Sequence, residues 1–392
     1  MFLFFQPILP KAHFRRKNAV ILNDTTFDAI SLPFEHVLNC YKKYFLTFER
    51  LCLTCVLKLF IIVTKVFKTI KQGFELDTKA NETIGIAEDE LESLGACHTA
   101  HEIAQQPKLW RAVLETAKEN IDLLQKFITH VYSEETLEVI LTGAGTSAFI
   151  GDVLEGPFQK NTHKSAKSIP TTDLVTHPEL YFSKEKTILL ISFARSGNSP
   201  ESAQSIELAE SFSKKVYHLI ITCNRESELI AKMAGKEHFI FYMPPEADDK
   251  SLAMTSSFTS MLLGGVLISN IDSLAEAGSQ VELISTYGEY ILKEISGKLK
   301  TVAELGFERA VFLGSGPFGG VAREAHLKLQ ELTSGKVICI YDTFLGLRHG
   351  PKAVVNGKTL IFYIFSNESY VNQYELDLVK EINQGEPPMF SI

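Results

Sequence analysis

The chain has 392 residues, 45% hydrophobic and 22% charged, which is enough for two ordinary domains and too apolar for a disordered protein. A net charge of −8 argues against nucleic acid as the main partner. Six cysteines without dense spacing exclude a disulfide scaffold and favour a reducing, cytoplasmic compartment.

The first 80 residues differ in character from the rest. They carry 12 basic and 6 acidic side chains and 11 of the 27 phenylalanines, whereas the remainder carries 27 basic and 41 acidic side chains. The apolar run Leu51–Phe67 is shorter than the roughly 20 residues of a spanning helix, and Lys58 and Lys65 interrupt it, so no membrane association is expected. Cys52 and Cys55 form a CxxC without a second pair, which reads as two apolar cysteines on a helix rather than a metal or redox site. No methionine falls between Met1 and Met233, yet the ordered pattern begins near Ile84. Residues 1–80 are therefore expected to be an extension outside the fold.

From Gly85 to Tyr132 the spacing is helical, with Leu109, Val113, Ala117 and Ile121 on one face and Pro107 dividing the run. Leu137 to Leu141 then reads as a short strand, Gly143 to Gly145 as a tight turn, and a helix follows from about Ser147. Further strands are Ile188 to Ser192 and Val216 to Cys223. The pattern recurs in Phe307 to Glu331 (strand, glycine turn, helix), with strands at Gly335 to Tyr341 and Thr359 to Asn367. LTGAG aligns with FLGSG. Strands alternating with helices imply an α/β fold of two flavodoxin-like parallel-sheet units flanked by helices. The first unit and its preceding helices occupy 85–285, and the second occupies 286–392. After a helix near Glu375 to Ile382 only GEPPMFSI remains, so the second sheet is expected to be small or incomplete.

Open parallel sheets bind ligands beyond the carboxyl ends of their strands, where the glycine turns lie. Gly143-Ala144-Gly145-Thr146-Ser147-Ala148 matches GxGxxA, and Gly314-Ser315-Gly316-Pro317-Phe318-Gly319 matches GxGxxG. Alone these motifs fit a dinucleotide, with Asp342 at the ribose position, or simply tight turns. The turn Ser192 to Ser202 is more specific. Ser196, Ser199 and Ser202, with Thr146 and Ser147, offer five hydroxyls from two adjacent turns, and Arg195 adds a cation. That set suits the free oxygens of a terminal phosphate at helix N-termini, although serine is also an ordinary helix cap. Glu324 and Glu331 stand seven residues apart on one helix face. Glu331 lies at the helix's C-terminal end, where the macrodipole raises a carboxyl pKa towards that of a general base. His349 precedes Gly350-Pro351 in a loop. Either residue read singly is more often a solvated surface group than a catalyst.

TGAGTSAFIGD, ISFARSGNSPES, LAMTSSFTSML, LGSGPFGGVAREAHLKLQEL and LRHGPKA together resemble the sugar isomerase (SIS) superfamily, over about Gly85 to Asn367. The nearest resemblance is to its galactosamine-6-phosphate deaminase/isomerase group, also called tagatose-6-phosphate ketose/aldose isomerases. The isomerase half of glucosamine-6-phosphate synthase is next. The resemblance implies two SIS subdomains, no metal or other cofactor, and a homodimer with sites near the subunit interface. It implies phosphate-holding roles for Thr146, Ser147, Ser196 and Ser199, and a substrate site that also includes Gly145, Arg195, Gly197, Thr255 and Ser256. Glu331, closing KLQE, corresponds to the glutamate that moves a proton between C1 and C2. His349, in RHGP, corresponds to the histidine that assists ring opening. Two features depart from the synthase pattern: Ser256 stands where the synthase has lysine, and its C-terminal tail with a Schiff-base lysine has no counterpart.

The expected activity is conversion of a hexosamine 6-phosphate, galactosamine 6-phosphate in this group, to tagatose 6-phosphate and ammonia. Plain aldose–ketose isomerisation uses the same proton shuttle and stays open. So do a dinucleotide-dependent oxidoreductase built on the two glycine turns and an inactive truncated sugar-phosphate-binding chain, whereas a non-catalytic sugar-phosphate sensor is disfavoured because residues 1–80 are too apolar for a DNA-recognition helix.

Overall fold

The computed structural model describes residues 82–392. The segment 1–80, with its Leu51–Phe67 run and the Cys52/Cys55 pair, lies outside the described residues.

A short hairpin, β1 (Glu82–Thr83) and β2 (Ile86–Ala87), leads into helices α1 (Glu88–Ser93), α2 (Cys97–Ala104), α3 (Gln106–Glu119) and α4 (Ile121–Tyr132). Pro107 stands in the first turn of α3, where a missing N–H costs nothing, so the chain breaks just before it. Leu109, Trp110, Val113, Leu114 and Ala117 form the buried stripe of α3.

The first sheet is wholly parallel: β3 (Leu137–Thr142), β4 (Ser165–Ser168), β5 (Thr187–Ala194), β6 (Lys215–Thr222) and β7 (His238–Tyr242), in the order β4-β3-β5-β6-β7. Its crossovers carry α5 (Thr146–Thr162), α6 (Thr171–Thr176), α7 (Pro200–Phe212) and α8 (Glu228–Ala231). β3 and β5 are buried at every position, and their apolar stretches, Val139 to Leu141 and Ile188 to Ile191, make them legible. The edge strand β4 carries no such run; β7 does, in Phe239 to Tyr242, but sequence reading finds neither. Chain order reverses between β3 and β5, so the ligand crevice of such a sheet lies beyond their carboxyl ends.

Helices α9 (Ser256–Ser269), α10 (Leu274–Glu294) and α11 (Ser296–Ala303) lead to the second sheet. α9 is buried at nearly every position, as expected of a helix apolar on all sides. α10 runs unbroken past residue 285, and Gly288 brings it against Trp110 of α3. The second sheet is also parallel, with β8 (Arg309–Gly314), β9 (Ile338–Asp342), β10 (Thr359–Ile364) and β11 (Phe390–Ser391) in the order β11-β10-β8-β9. Between them run α12 (Pro317–Leu332), α13 (Phe344–Arg348) and α14 (Ser369–Gln384). This repeats the first sheet's order without its outermost strand. The terminal GEPPMFSI thus supplies a fourth strand that has no periodic signature. Ile392 donates to Ile361 O and accepts from Tyr363 N, each at 2.8 Å, and is 2% exposed.

One apolar cluster joins the two sheets, including Val139 and Leu189, Phe312 and Phe362, and Val153 and Ala322 of the intervening helices α5 and α12. Those helices touch closely. A Cβ on Gly320 would lie 2.7 Å from Val153, Arg323 pairs with Asp152 at 2.8 Å, and Thr146 meets Glu324 at 3.4 Å. Contacts that climb α12 descend α5, so the two run antiparallel. The C-terminal half of α12 is thereby laid over the carboxyl ends of the first sheet.

Candidate active site

Three helices, α5, α7 and α9, begin at the carboxyl end of the first sheet, so their partial positive charges favour an anion there. The first turn depends on Gly145, at φ +56°, ψ −128°. Gly316 adopts φ +57°, ψ −129° in the matching turn of the second sheet. Each is a left-handed conformation that only glycine takes freely. The turn buries Thr146 and Ser147 at the start of α5. Thr146 Oγ1 donates to Glu324 Oε1 at 3.4 Å, and Ser147 Oγ lies 3.9 Å from Met254 Sδ.

In the second turn Gly197 has φ +63°, and a Cβ there would lie 2.6 Å from Ser227 Oγ. Asn224 Nδ2 donates to Ser196 O at 2.8 Å, and Leu229 N donates to Gly197 O at 3.1 Å. The backbone is thus held while the Ser196 side chain stays exposed. Ser199 has a second job: it caps α7, accepting from Ser202 N at 3.3 Å, and its hydroxyl lies 2.6 Å from Ser202 Oγ. Arg195 Nη1 donates to Ser251 O at 3.1 Å, tying this turn to the segment before α9.

Two carboxylates that sequence reading missed hold that segment. Glu102 of α2 accepts from Lys250 N (2.6 Å), Ser251 N (3.1 Å) and the Ser251 hydroxyl. Asp249 accepts from the backbone N–H of Thr255 (2.8 Å), Ser256 (3.1 Å) and Ser257 (2.8 Å), capping α9. Ser256 is wholly buried and donates to Glu102 O at 2.6 Å, so its hydroxyl is committed to α2 and is not brought together with the other hydroxyls. Thr255 Oγ1 is buried without a partner. The same holds for Thr142, the last residue of β3, and Ser192, its register partner two residues before the end of β5. Only the sheet register could single out that pair.

On α12, Glu324 and Lys328 are buried and Glu331 is half-buried. Lys328 Nζ sits 2.6 Å from Glu331 Oε2 and 3.4 Å from Glu324 Oε1. Sequence reading placed the raised carboxyl pKa at Glu331 and overlooked Lys328. The structure puts an ammonium against Glu331, and it is burial that pushes Glu324 up to about 8, against the pull of Lys328 and Thr146. The signal for Lys328 was available in its spacing, i+4 from Glu324 and i−3 from Glu331.

His349 is exposed at the C-terminal end of α13 and makes no side-chain hydrogen bond among the described residues. It follows β9, at the carboxyl end of the second sheet, the end at which α12 begins. Glu331 closes α12 about 20 Å away along the helix axis, by the 1.5 Å rise per residue. Thr146, Ser147, Glu324, Lys328 and Glu331 therefore form one array beside the Arg195–Ser199 turn, and His349 stands apart from it.

The SIS domain family matches residues 132–268. The chain is 41% identical over 305 residues to the D-galactosamine-6-phosphate deaminase AgaS of Shewanella sp. (strain ANA-3), covering 76% of this chain and 77% of that protein. A crystal structure from Clostridium novyi NT, provisionally named a tagatose-6-phosphate ketose/aldose isomerase, superposes with a TM-score of 0.76 at 41% identity, over 79% of each chain. The tagatose-6-phosphate ketose/aldose isomerase of Escherichia coli gives a TM-score of 0.66 at 37% identity, over 75% of this chain and 80% of that one.

Proposed function

The chain belongs to the SIS family and, within it, to the D-galactosamine-6-phosphate deaminase group, and from that premise we propose that it converts galactosamine 6-phosphate to tagatose 6-phosphate and ammonia. The observation that carries the chemistry is the unbroken array from the phosphate-type turn at Thr146, through Glu324 and Lys328, to Glu331. The substrate phosphate sits on Thr146, Ser147, Ser196 and Ser199, with Gly145 and Gly197 letting the backbone approach. Arg195 and Thr255 flank it, and Ser256 acts through the α2 contact. Glu331 removes the C2 proton of the open-chain sugar while O1 gains one, giving an enaminol. Returning a proton to C1 yields the C2 ketimine. Water adds at C2, and ammonia leaves. Each general acid–base step contributes about 10²–10⁴-fold.

His349 assists ring opening in this reading. Its distance from Glu331 within one chain supports a homodimer in which the RHGP loop of one copy reaches the other's site. The described cysteines, Cys97, Cys223 and Cys339, are unpaired, which fits a cytoplasmic location with its phosphorylated sugars. Among the described residues no single helix is long and apolar enough to cross a membrane.

The test is ammonia release from galactosamine 6-phosphate, with glucosamine 6-phosphate and galactose 6-phosphate alongside. Ammonia from the first supports deamination, and turnover of galactose 6-phosphate alone would instead make the protein a plain isomerase. Glu331→Gln keeps the shape but cannot accept the proton. It is expected to bind substrate and to lose exchange of the C2 hydrogen with deuterated water. Exchange at the unmodified rate would remove Glu331 from the role.

A further inference from the structure

We propose that Glu324 belongs to the phosphate subsite as the proton-carrying partner of Thr146, so that the sugar phosphate dianion binds together with a proton held on Glu324. This rests on the reading that Thr146 holds the phosphate.

Glu324 is buried where α12 crosses α5. Its Oε1 lies 3.4 Å from both Thr146 Oγ1 and Lys328 Nζ, and its Oε2 has no partner. Few groups face it. From α5 it meets the Thr146 hydroxyl, while the next pair along that contact, Asp152 and Arg323, close on each other at 2.8 Å. On its own helix, His326 stacks towards Tyr341 of β9. Lys328 is already matched by Glu331 at 2.6 Å, and one ammonium cannot neutralise two carboxylates. An ionised Glu324 would be an uncompensated buried charge with an unsolvated oxygen. Burial accordingly raises its pKa to about 8, so it carries a proton at neutral pH.

That proton decides what Thr146 can do. The hydroxyl has a single hydrogen. An ionised Glu324 would claim it and would also repel an arriving dianion. A neutral Glu324 does neither. A half-turn of its carboxyl group lets the acid O–H donate to Thr146 Oγ1, which leaves the threonine hydrogen for a phosphate oxygen. The result is a directed chain of donors from Glu324 through Thr146 to the phosphate, with no covalent bond made or broken. Above pH 8 the free protein has lost this proton and must recover it to bind. Affinity should then fall about tenfold per pH unit, with proton uptake approaching one.

The experiment is calorimetric titration of tagatose 6-phosphate into the full chain at pH 7, 8 and 9. At each pH, two ammonium-free buffers of different ionisation enthalpy report the protons taken up. The unmodified protein should take up about 0.1 proton at pH 7 and about 0.9 at pH 9, for a group titrating near pH 8. Glu324→Gln, a permanently neutral donor, should bind with no such uptake and with affinity nearly independent of pH across that range. Uptake below about 0.2 at pH 9 in the unmodified protein overturns the proposal even if the variant does not fold. Equal uptake in the two proteins overturns it as well, while leaving the phosphate site standing. Failure of tagatose 6-phosphate to bind at any pH would overturn this proposal and the functional reading together.

Discussion

Asp152 and Arg323 pair at 2.8 Å, and each stands seven residues beyond the left-handed glycine of its own turn, Gly145 and Gly316. The ion pair therefore joins equivalent positions of two repeated βα units, at the crossing of α5 and α12. Counting from the same glycines sets Thr146 against Pro317, Ser147 against Phe318, Glu324 against Val153 and Lys328 against Pro157. The repeat keeps the backbone at both ends, but only one end keeps hydroxyls, acid and ammonium. The Gly316 turn lacks an N–H at Pro317 and has the buried Phe318 where the first turn has Ser147.

The pair should matter modestly to stability. Both side chains are a quarter to a third exposed, so solvent screening keeps their coupling to about 1 kcal/mol. A double-mutant cycle with Asp152→Ala and Arg323→Ala, read by urea unfolding, measures it. Zero coupling would mean that Arg323 is held by its stacking on Phe149 and not by the charge.

The two serines of the second turn should separate. Ser196→Ala removes an exposed hydroxyl and should weaken sugar phosphate binding by about 1.5–3 kcal/mol without moving the melting temperature. Ser199→Ala should weaken binding too, and also lower stability by about 1 kcal/mol, because Ser199 caps α7. Calorimetry and thermal melts on the two variants check both halves. Identical melting temperatures would remove the capping role.

Glu324 should also shape folding stability. Its carboxyl is raised from 4.5 to about 8 by burial, so in between it is ionised in the unfolded chain and protonated in the folded one. Folding then takes up a proton, and stability falls as pH rises from about 4.5 to about 8 before levelling, by at most about 5 kcal/mol from this group. Glu324→Gln should flatten that slope. Urea midpoints at pH 5 and pH 8.5 give the comparison, and parallel curves for the two proteins would contradict the burial argument.

Removing Phe390–Ile392 should expose the edge of β10 and the pocket that Ile392 fills. The loss should be about 2 kcal/mol or more, since burying one isoleucine contributes about 1.5–3 kcal/mol. A truncated protein that melts at the same temperature would show that β11 adds nothing.

The amino-acid sequence determined the parts of this protein that rest on local rules. The central strands are buried at every position and carry apolar stretches, the turns need glycine at positive φ, and α12 spaces Glu324 and Glu331 on one face by its own period. The hydroxyl-rich turn is legible for the same reason, since its donors are neighbours in sequence. β4 and β11 were not legible, because a short edge strand owes its conformation to the partner it pairs with, whereas β7 carried a readable signal in Phe239 to Tyr242 that was missed. Nor was Ser256 distinguishable from Thr255: the two differ only in which one meets α2. The antiparallel crossing of α5 and α12 decided the rest. It brings Glu324 to Thr146 from 178 residues away, lays Glu331 over the first sheet, and leaves His349 at the far end. Such a crossing comes from side chains fitting between two helices, and no local pattern in either helix encodes it.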